Sequence, residues 1–160
     1  MNPVGPFPLI IIGAGLAGWT VAREFRKLDT TTAVLMITAD SGDFYAKPSL
    51  SNAFAQRRAP TQLVSTEAAK MAAAQNVTLL PHTRVAAIDA QARSVRTDAG
   101  EHQLAVTVLA TGAQAIRVPL AGDGADHVLS VNSLSDFTAL HTRLITQNNA
   151  EPKRVMIMGA

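Results

Sequence analysis

Cysteine is missing from this 160-residue chain, which excludes disulfide staples, thiolate zinc and iron–sulfur ligation, and any redox-active dithiol within these residues. Charge is scarce as well. Fourteen basic against twelve acidic side chains leave a formal +2, and the densest basic spot, Arg57–Arg58, falls far short of the stripe that nucleic acid binding needs. Long apolar runs are lacking too: Leu9–Ile12 is too short to span a bilayer and has no basic flank of the secretory kind. The N-terminus is therefore expected to be part of the fold, and the protein to be cytoplasmic. His82, His102, His127 and His141 show no metal-ligand spacing and no Ser or Asp partner at a motif distance, so neither a metal site nor a hydrolase triad is expected. No stretch is biased enough to be disordered. With 48% hydrophobic residues, the chain can bury one core and leave a remainder.

What is present is concentrated in the first forty residues. Pro8-Leu9-Ile10-Ile11-Ile12 is a short continuous apolar run, as a parallel strand buried on both faces requires. It runs into Gly13-Ala14-Gly15-Leu16-Ala17-Gly18, a G-x-G-x-x-G pattern, and then into a segment whose Val21, Phe25 and Leu28 recur at helical spacing. Strand, glycine turn and helix therefore occur in the order of a dinucleotide-binding unit. Gly13 is suited to the tight turn, Gly15 to close approach of backbone to a pyrophosphate, and Gly18 to close helix packing, while the helix N-terminus offers free N–H groups to phosphate. A second apolar run, Ala33–Ile37, is followed by Thr38-Ala39-Asp40, which places an acid 22 residues beyond Gly18, where such folds bind the adenosine ribose hydroxyls. The alternative is a glycine turn that binds nothing, with Asp40 a loop acid.

The fingerprint reads only the ADP half shared by FAD and NAD, so the choice between them rests on residues further along the chain. The segment Tyr45-Ala46-Lys47-Pro48-Ser49-Leu50-Ser51-Asn52 resembles the tyrosine, basic residue, proline and Leu-Ser pattern of the flavoprotein reductases that serve rubredoxin, ferredoxin and putidaredoxin. Val106–Ala113, an apolar strand ending in Ala110-Thr111-Gly112-Ala113, is similar to the segment that closes the first FAD-binding stretch of the glutathione-reductase-like superfamily. Thr83–Asp89 resembles the strand from which that superfamily contacts the flavin adenine through backbone groups. Lys153–Ala160 looks like the first strand of a second nucleotide unit, broken off at Gly-Ala. Lys47 and Asn52, where ferredoxin-type members usually carry arginine and lysine, point to the rubredoxin-reductase branch, as do Arg23–Leu28 and Val131–Leu134.

The resemblance implies an α/β fold: a three-layer Rossmann-like FAD-binding domain with a small antiparallel β-meander, glutathione-reductase-like and truncated. Residues 1–117 would be the first segment of the FAD-binding domain, 118–152 a linker and helix, and 153–160 the first strand of an NAD(P)H-binding domain. Gly13, Ala14, Gly15, Leu16, Ala17, Gly18, Ala39 and Asp40 would bind the cofactor, joined on the resemblance by Lys47, Pro48, Arg84, Val85, Ala110, Thr111 and Gly112. Lys47 would lie near the flavin ring and favour negative charge on its reduced form. No catalytic acid or base is nominated.

The implied activity is FAD-dependent transfer of electrons from NADH to rubredoxin or a similar small electron-carrier protein, with no nucleic acid or membrane partner. The 160 residues alone are expected to be inactive. A ferredoxin- or putidaredoxin-type reductase or a nitrite-reductase relative is the enzymatic alternative, and a nucleotide-binding module or inactive fragment the non-enzymatic one. Elsewhere, Thr66–Ala74 reads as a helix capped by Ser65 or Thr66. Val77–Leu80, Val85–Asp89, Arg93–Thr97 and His102–Val108 read as strands, the last three forming the meander. A later helix, capped by Ser133 or Ser135, should carry Phe137, Leu140, Leu144 and Ile145 on one face and end by Asn148–Pro152. Trp19 and Tyr45 are read as packing residues.

Overall fold

The structure, a computed structural model, describes residues 7–116, 118–146 and 154–158. The chain divides into two compact units, one taking the chain up to Ala46 with Val64–Ala113, the other Lys47–Leu63 with the residues from Gln114 onward.

In the first unit, β1 (Leu9–Ile12) leads through the glycine turn into α1 (Leu16–Leu28), then β2 (Val34–Ile37) and the two-residue β3 (Phe44–Tyr45). The chain passes through α2 (Ser49–Asn52) and returns as β4 (Val64–Thr66), α3 (Ala68–Ala74) and β5 (Thr78–Leu80). A meander of β6 (Val85–Asp89), β7 (Ser94–Thr97) and β8 (Gly100–Gln103) precedes β9 (Val106–Leu109).

The central sheet has the order β5-β2-β1-β9 and is parallel throughout. β1 and β2 are apolar at every position because alternate side chains enter different cores. Leu9, Ile11, Val34 and Met36 meet Trp19, Ala22 and Val77, with Phe25 and Met71 against them. Ile10, Ile12, Leu35 and Ile37 meet Val95 and Leu104 of the meander. Helices, sheet and meander thus form the three layers expected, and the fold is α/β. Each fully buried aliphatic side chain here, such as Ile10, Ile11 or Ile37, contributes roughly 1.5–3 kcal/mol relative to leaving it in water.

Two local devices set the geometry around these layers. The Arg26 guanidinium near the end of α1 donates to the carbonyls of Asp29 and Thr32 on one side and Gln75 and Asn76 on the other. It ties the helix C-terminus to the turn before β5. Asp29 closes its own turn, accepting from the backbone N–H groups of Thr31 and Thr32 and from both threonine hydroxyls. These bonds, the Thr32 hydroxyl foremost, hold its carboxyl well below the usual carboxylate range.

Three expectations are corrected. Ser65 and Thr66 do not cap α3: they lie in β4, which pairs with β3, and Glu67 occupies the cap position without a side-chain bond. The Ala68 N–H is met by the Asp43 carboxylate, 2.8 Å away. His102–Val108 is not one meander strand. The chain leaves the meander after Gln103, Leu104 N–H donates to the Arg93 carbonyl and Ala105 N–H to that of Pro8, and β9 then joins the parallel sheet beside β1.

In the second unit, a 3₁₀ turn at Pro60–Leu63 packs against α4 (Leu134–Thr146). Ser133 rather than Ser135 caps α4: its hydroxyl accepts from Asp136 N–H at 3.1 Å while the Asp136 carboxylate accepts from the backbone of Ser133 and Asn132, a reciprocal cap. Phe137 is fully buried, its ring 5.2 Å from that of Phe54 and 5.8 Å from His141. Ile145 is 60% exposed, so the buried face of α4 ends before it, which is the third correction. Arg154–Met158 takes no regular secondary structure. The expected helix end at Asn148–Pro152, together with Lys153, Gly159 and Ala160, lies outside the described residues. Among the described residues no helix is long and apolar enough to cross a membrane.

Candidate functional site

Parallel pairing puts the C-terminal ends of β1, β2 and β9 side by side, with Ile12 level with both Ile37 and Leu109. Gly13, Thr38 and Ala110 are therefore the next residues out at one sheet edge, the edge where doubly wound folds bind nucleotides. The ladder runs on into these turns: Gly13 N–H donates to the Ile37 carbonyl and Ala110 N–H to that of Ile12, both at 2.8 Å.

Gly13 takes φ +108°, a conformation that favours glycine, and a Cβ there would overlap the Ala110 carbonyl. A Cβ on Gly18 would overlap the Gly13 carbonyl, so that glycine lets α1 pack directly against the turn. Gly15 is different in kind: at φ −78°, ψ −169° it is the N-cap of α1 with no side-chain cap bond, and nothing lies within 4 Å of where its Cβ would be. Backbone geometry would admit alanine at this position, and the space in front of it is open.

Helix geometry leaves the first N–H groups of α1 without intrahelical acceptors. Its first turn has no acidic side chain, and Arg26 and Lys27 sit in its last. The open end is therefore positive, with no carboxylate of its own first turn to compete, and suited to an anion such as a diphosphate. Leu16 and Ala17 are exposed there, while Ala14 and Gly18 are buried.

Asp40 stands on the turn after β2 with Ala39, both exposed. One carboxylate oxygen, Oδ1, accepts from the Thr38 hydroxyl at 2.7 Å and from Gly42 N–H at 3.0 Å. The second oxygen takes part in neither bond and is free to accept from a ribose diol. The turn is held from the residues after β5 as well, since His82 N–H donates to the Asp40 carbonyl and Thr83 N–H to that of Thr38. Trp19, the single tryptophan and 1% exposed, donates its indole N–H to the Gly42 carbonyl at 3.1 Å.

Thr111 and Gly112 are exposed just beyond β9, Gly112 at φ +69°. Arg84 is exposed, and its backbone is already engaged: its N–H donates to the Asp98 carboxylate and its carbonyl accepts from Asp98 N–H. Val85 packs into the meander-side core. Lys47 and Pro48 fall in the second unit, both exposed, with Pro48 at the N-cap of α2 and the Lys47 carbonyl accepting from Leu50 N–H. The first unit thus brings together the glycine turn, Ala39–Asp40 and Ala110–Gly112 at one sheet edge. Sequence reasoning missed Thr38, Gly42 and the polar role of Trp19. Thr38, two residues before the acid at a strand end, carried a local signal; the Trp19–Gly42 bond spans 23 residues and carried none.

Residues 7–160 match the family described as pyridine nucleotide-disulphide oxidoreductase. A rubredoxin-NAD(+) reductase of Acinetobacter baylyi is 40% identical over 96% of this chain and 39% of its own length. A nitric oxide reductase FlRd-NAD(+) reductase of Aliivibrio fischeri is 32% identical over 95% of this chain and 39% of its own. The chain thus spans about two fifths of the length of these curated relatives. Among solved structures, the covalent putidaredoxin reductase–putidaredoxin complex superposes with a TM-score of 0.73 at 26% identity, over 89% of this chain and 35% of that one.

Proposed function

The chain belongs to the pyridine nucleotide-disulphide oxidoreductase family, and from that premise we propose that it forms the FAD-binding part of a reductase carrying electrons from NADH, through flavin, to rubredoxin or a similar small electron-carrier protein. The observation that carries the cofactor assignment is the open end of α1 at Gly15, set between two glycines, Gly13 and Gly18, that are closed to side chains, and beside a carboxylate with one oxygen to spare. The residues fit the ADP half of FAD. Backbone N–H groups of Gly15, Leu16 and Ala17 would receive the diphosphate, Asp40 with Ala39 the adenosine ribose, and Ala110, Thr111 and Gly112 would approach the cofactor through backbone. Arg84 and Val85 are retained as contacts on the adenine side. When bound, FAD supplies the conversion of a two-electron donor's equivalents into single electrons for the carrier.

The other residues bind and tune. Lys47 would favour negative charge on the reduced flavin, and Pro48 would fix the start of α2 behind it. The apolar cores of the first unit hold the glycine turn rigid, so that binding energy is not lost to ordering the loop. The choice of rubredoxin rests on the name of the relative at 40% identity. The likeness to a putidaredoxin reductase at 26% supports a carrier-protein acceptor of the ferredoxin type less strongly. In this reading residues 1–117 are the first stretch of the FAD domain, 118–152 a linker and helix, and 153–160 the opening of an NAD(P)H domain. The division between compact units after Ala113 supports a boundary near there. A cytoplasmic location accords with the family chemistry and with the sequence.

The test is a visible spectrum of the purified full-length protein, followed by NADH under exclusion of air. A flavin spectrum that bleaches with NADH and is restored by oxidised rubredoxin, faster than by a two-iron ferredoxin, is the expected result. Restoration by the ferredoxin alone would replace rubredoxin as acceptor, and a protein that takes up no flavin would overturn the assignment.

A further inference from the structure

We propose that Trp19 is a positioning residue for nucleotide binding, acting on the Asp40 carboxylate through Gly42; the inference rests on the reading of Asp40 as the ribose acceptor. Asp40 is exposed on a turn, and an exposed aspartate ordinarily samples several rotamers. Here two donors converge on one of its oxygens, the Thr38 hydroxyl and Gly42 N–H, which fixes that oxygen and leaves the other outside both bonds.

The Gly42 donor is itself aimed by its surroundings. Gly42 is buried at φ +77°, and its α-carbon is crowded by the Leu79, Thr38 and Ala14 side chains, which lie 3.3–3.5 Å from where a Cβ would be. Its carbonyl accepts the indole N–H of Trp19 in a buried bond. Without that donor the carbonyl would be left unpaired away from water, which proteins avoid. The turn would rotate to hydrate it and carry the Gly42 N–H away from Asp40. Trp19 directly follows Gly18, the last glycine of the fingerprint, so one helix turn supplies both the diphosphate end and the clamp on the ribose acid. Its ring fills the helix-side core, and its N–H orients the acid.

The test separates these two roles. In the full-length protein, Trp19→Phe keeps an aromatic core residue and removes the N–H; incorporation of 3-benzothienylalanine at position 19 removes only the N–H if the phenylalanine variant folds poorly. Affinities for ADP and 2′,3′-dideoxy-ADP are measured by calorimetry on the flavin-free protein, with saturating NADH occupying the second nucleotide site, and with Asp40→Ala as the reference. The wild type should prefer ADP, Asp40→Ala should abolish the preference, and loss of the N–H should cut it by about tenfold, the scale of one hydrogen bond to a charged group. In the Asp40→Ala background the same change at position 19 should have no further effect on the ratio. Equal losses for both nucleotides, with the ratio unchanged, would reduce Trp19 to a packing residue. A wild type that binds neither nucleotide, or an Asp40→Ala variant that keeps the preference, would overturn the ribose reading instead.

Discussion

Substitution of Gly15 by alanine should separate folding from cofactor binding. At φ −78°, ψ −169° with nothing within 4 Å, alanine meets neither strain nor collision. Alanine is a poorer N-cap than glycine by about 0.5–1 kcal/mol, but it also lowers the entropy of the unfolded chain by about 0.4–1 kcal/mol. The two nearly cancel, so the melting temperature should stay within about 2 °C of wild type. The ligand side is different, because the new methyl group stands where the diphosphate must approach the backbone. Loss of one charge-assisted bond from a backbone N–H costs about 1.5–3 kcal/mol, roughly a ten- to hundredfold rise in the Kd for FAD. The assay pairs thermal unfolding by circular dichroism with FAD titration followed by flavin fluorescence. Gly13→Ala is the control: with φ +108° and an overlap with the Ala110 carbonyl, it should cost on the order of 3 kcal/mol of stability. If Gly15→Ala bound FAD as tightly as wild type, the diphosphate would not be lying over this helix end. If it unfolded like Gly13→Ala, the open space inferred at Gly15 would be wrong.

Arg26→Ala removes donors to four carbonyls and should destabilise by about 2–3 kcal/mol without changing FAD affinity per folded molecule; Arg26→Lys, which cannot span both turns, should recover little of it in a denaturant titration. Because the Asp29 carboxyl is held below its unfolded value, its contribution is full above that value, near 3.9, and is lost as pH falls toward the folded value. Asp29→Ala should therefore lower the melting temperature most at neutral pH, with the gap to wild type closing below about pH 4; an equal gap at about pH 7 and about pH 3 would argue against it. Lys47→Met should make the flavin midpoint potential more negative, since a cation near the ring favours its reduced form; an unchanged potential in spectroelectrochemistry would leave Lys47 a solvated loop residue.

The strand, glycine turn and helix at this sheet edge were legible because their signals are local. An unbroken apolar strand, glycines at fixed offsets and an acid after the next strand follow from backbone clearances, and Gly13 and Gly18 turn out to be closed to side chains in the way those offsets demand. The α4 cap was legible for the same reason, since Ser133 and Asp136 lie three residues apart. What was lost depended on distance along the chain. Nothing near Ser65 or Thr66 shows that their strand pairs with Phe44 and Tyr45, or that the cap on α3 comes from Asp43, 25 residues away. The break at Leu104–Ala105 leaves no turn residue, because it is made by tertiary bonds to Arg93 and Pro8, so two strands in different sheets read as one. The grouping of Lys47–Leu63 with the later chain likewise depends on the packing of Phe54 with Phe137, aromatic rings 83 residues apart in sequence.

The most direct measurement is a crystal structure of the full-length protein grown with FAD. The cofactor diphosphate should lie over the Gly15 end of α1, within hydrogen-bonding distance of the Leu16 and Ala17 N–H groups, with the adenosine ribose on the second carboxylate oxygen of Asp40. A nucleotide bound elsewhere, or a protein that crystallises from saturating FAD with no flavin at this edge, would contradict the assignment of the site.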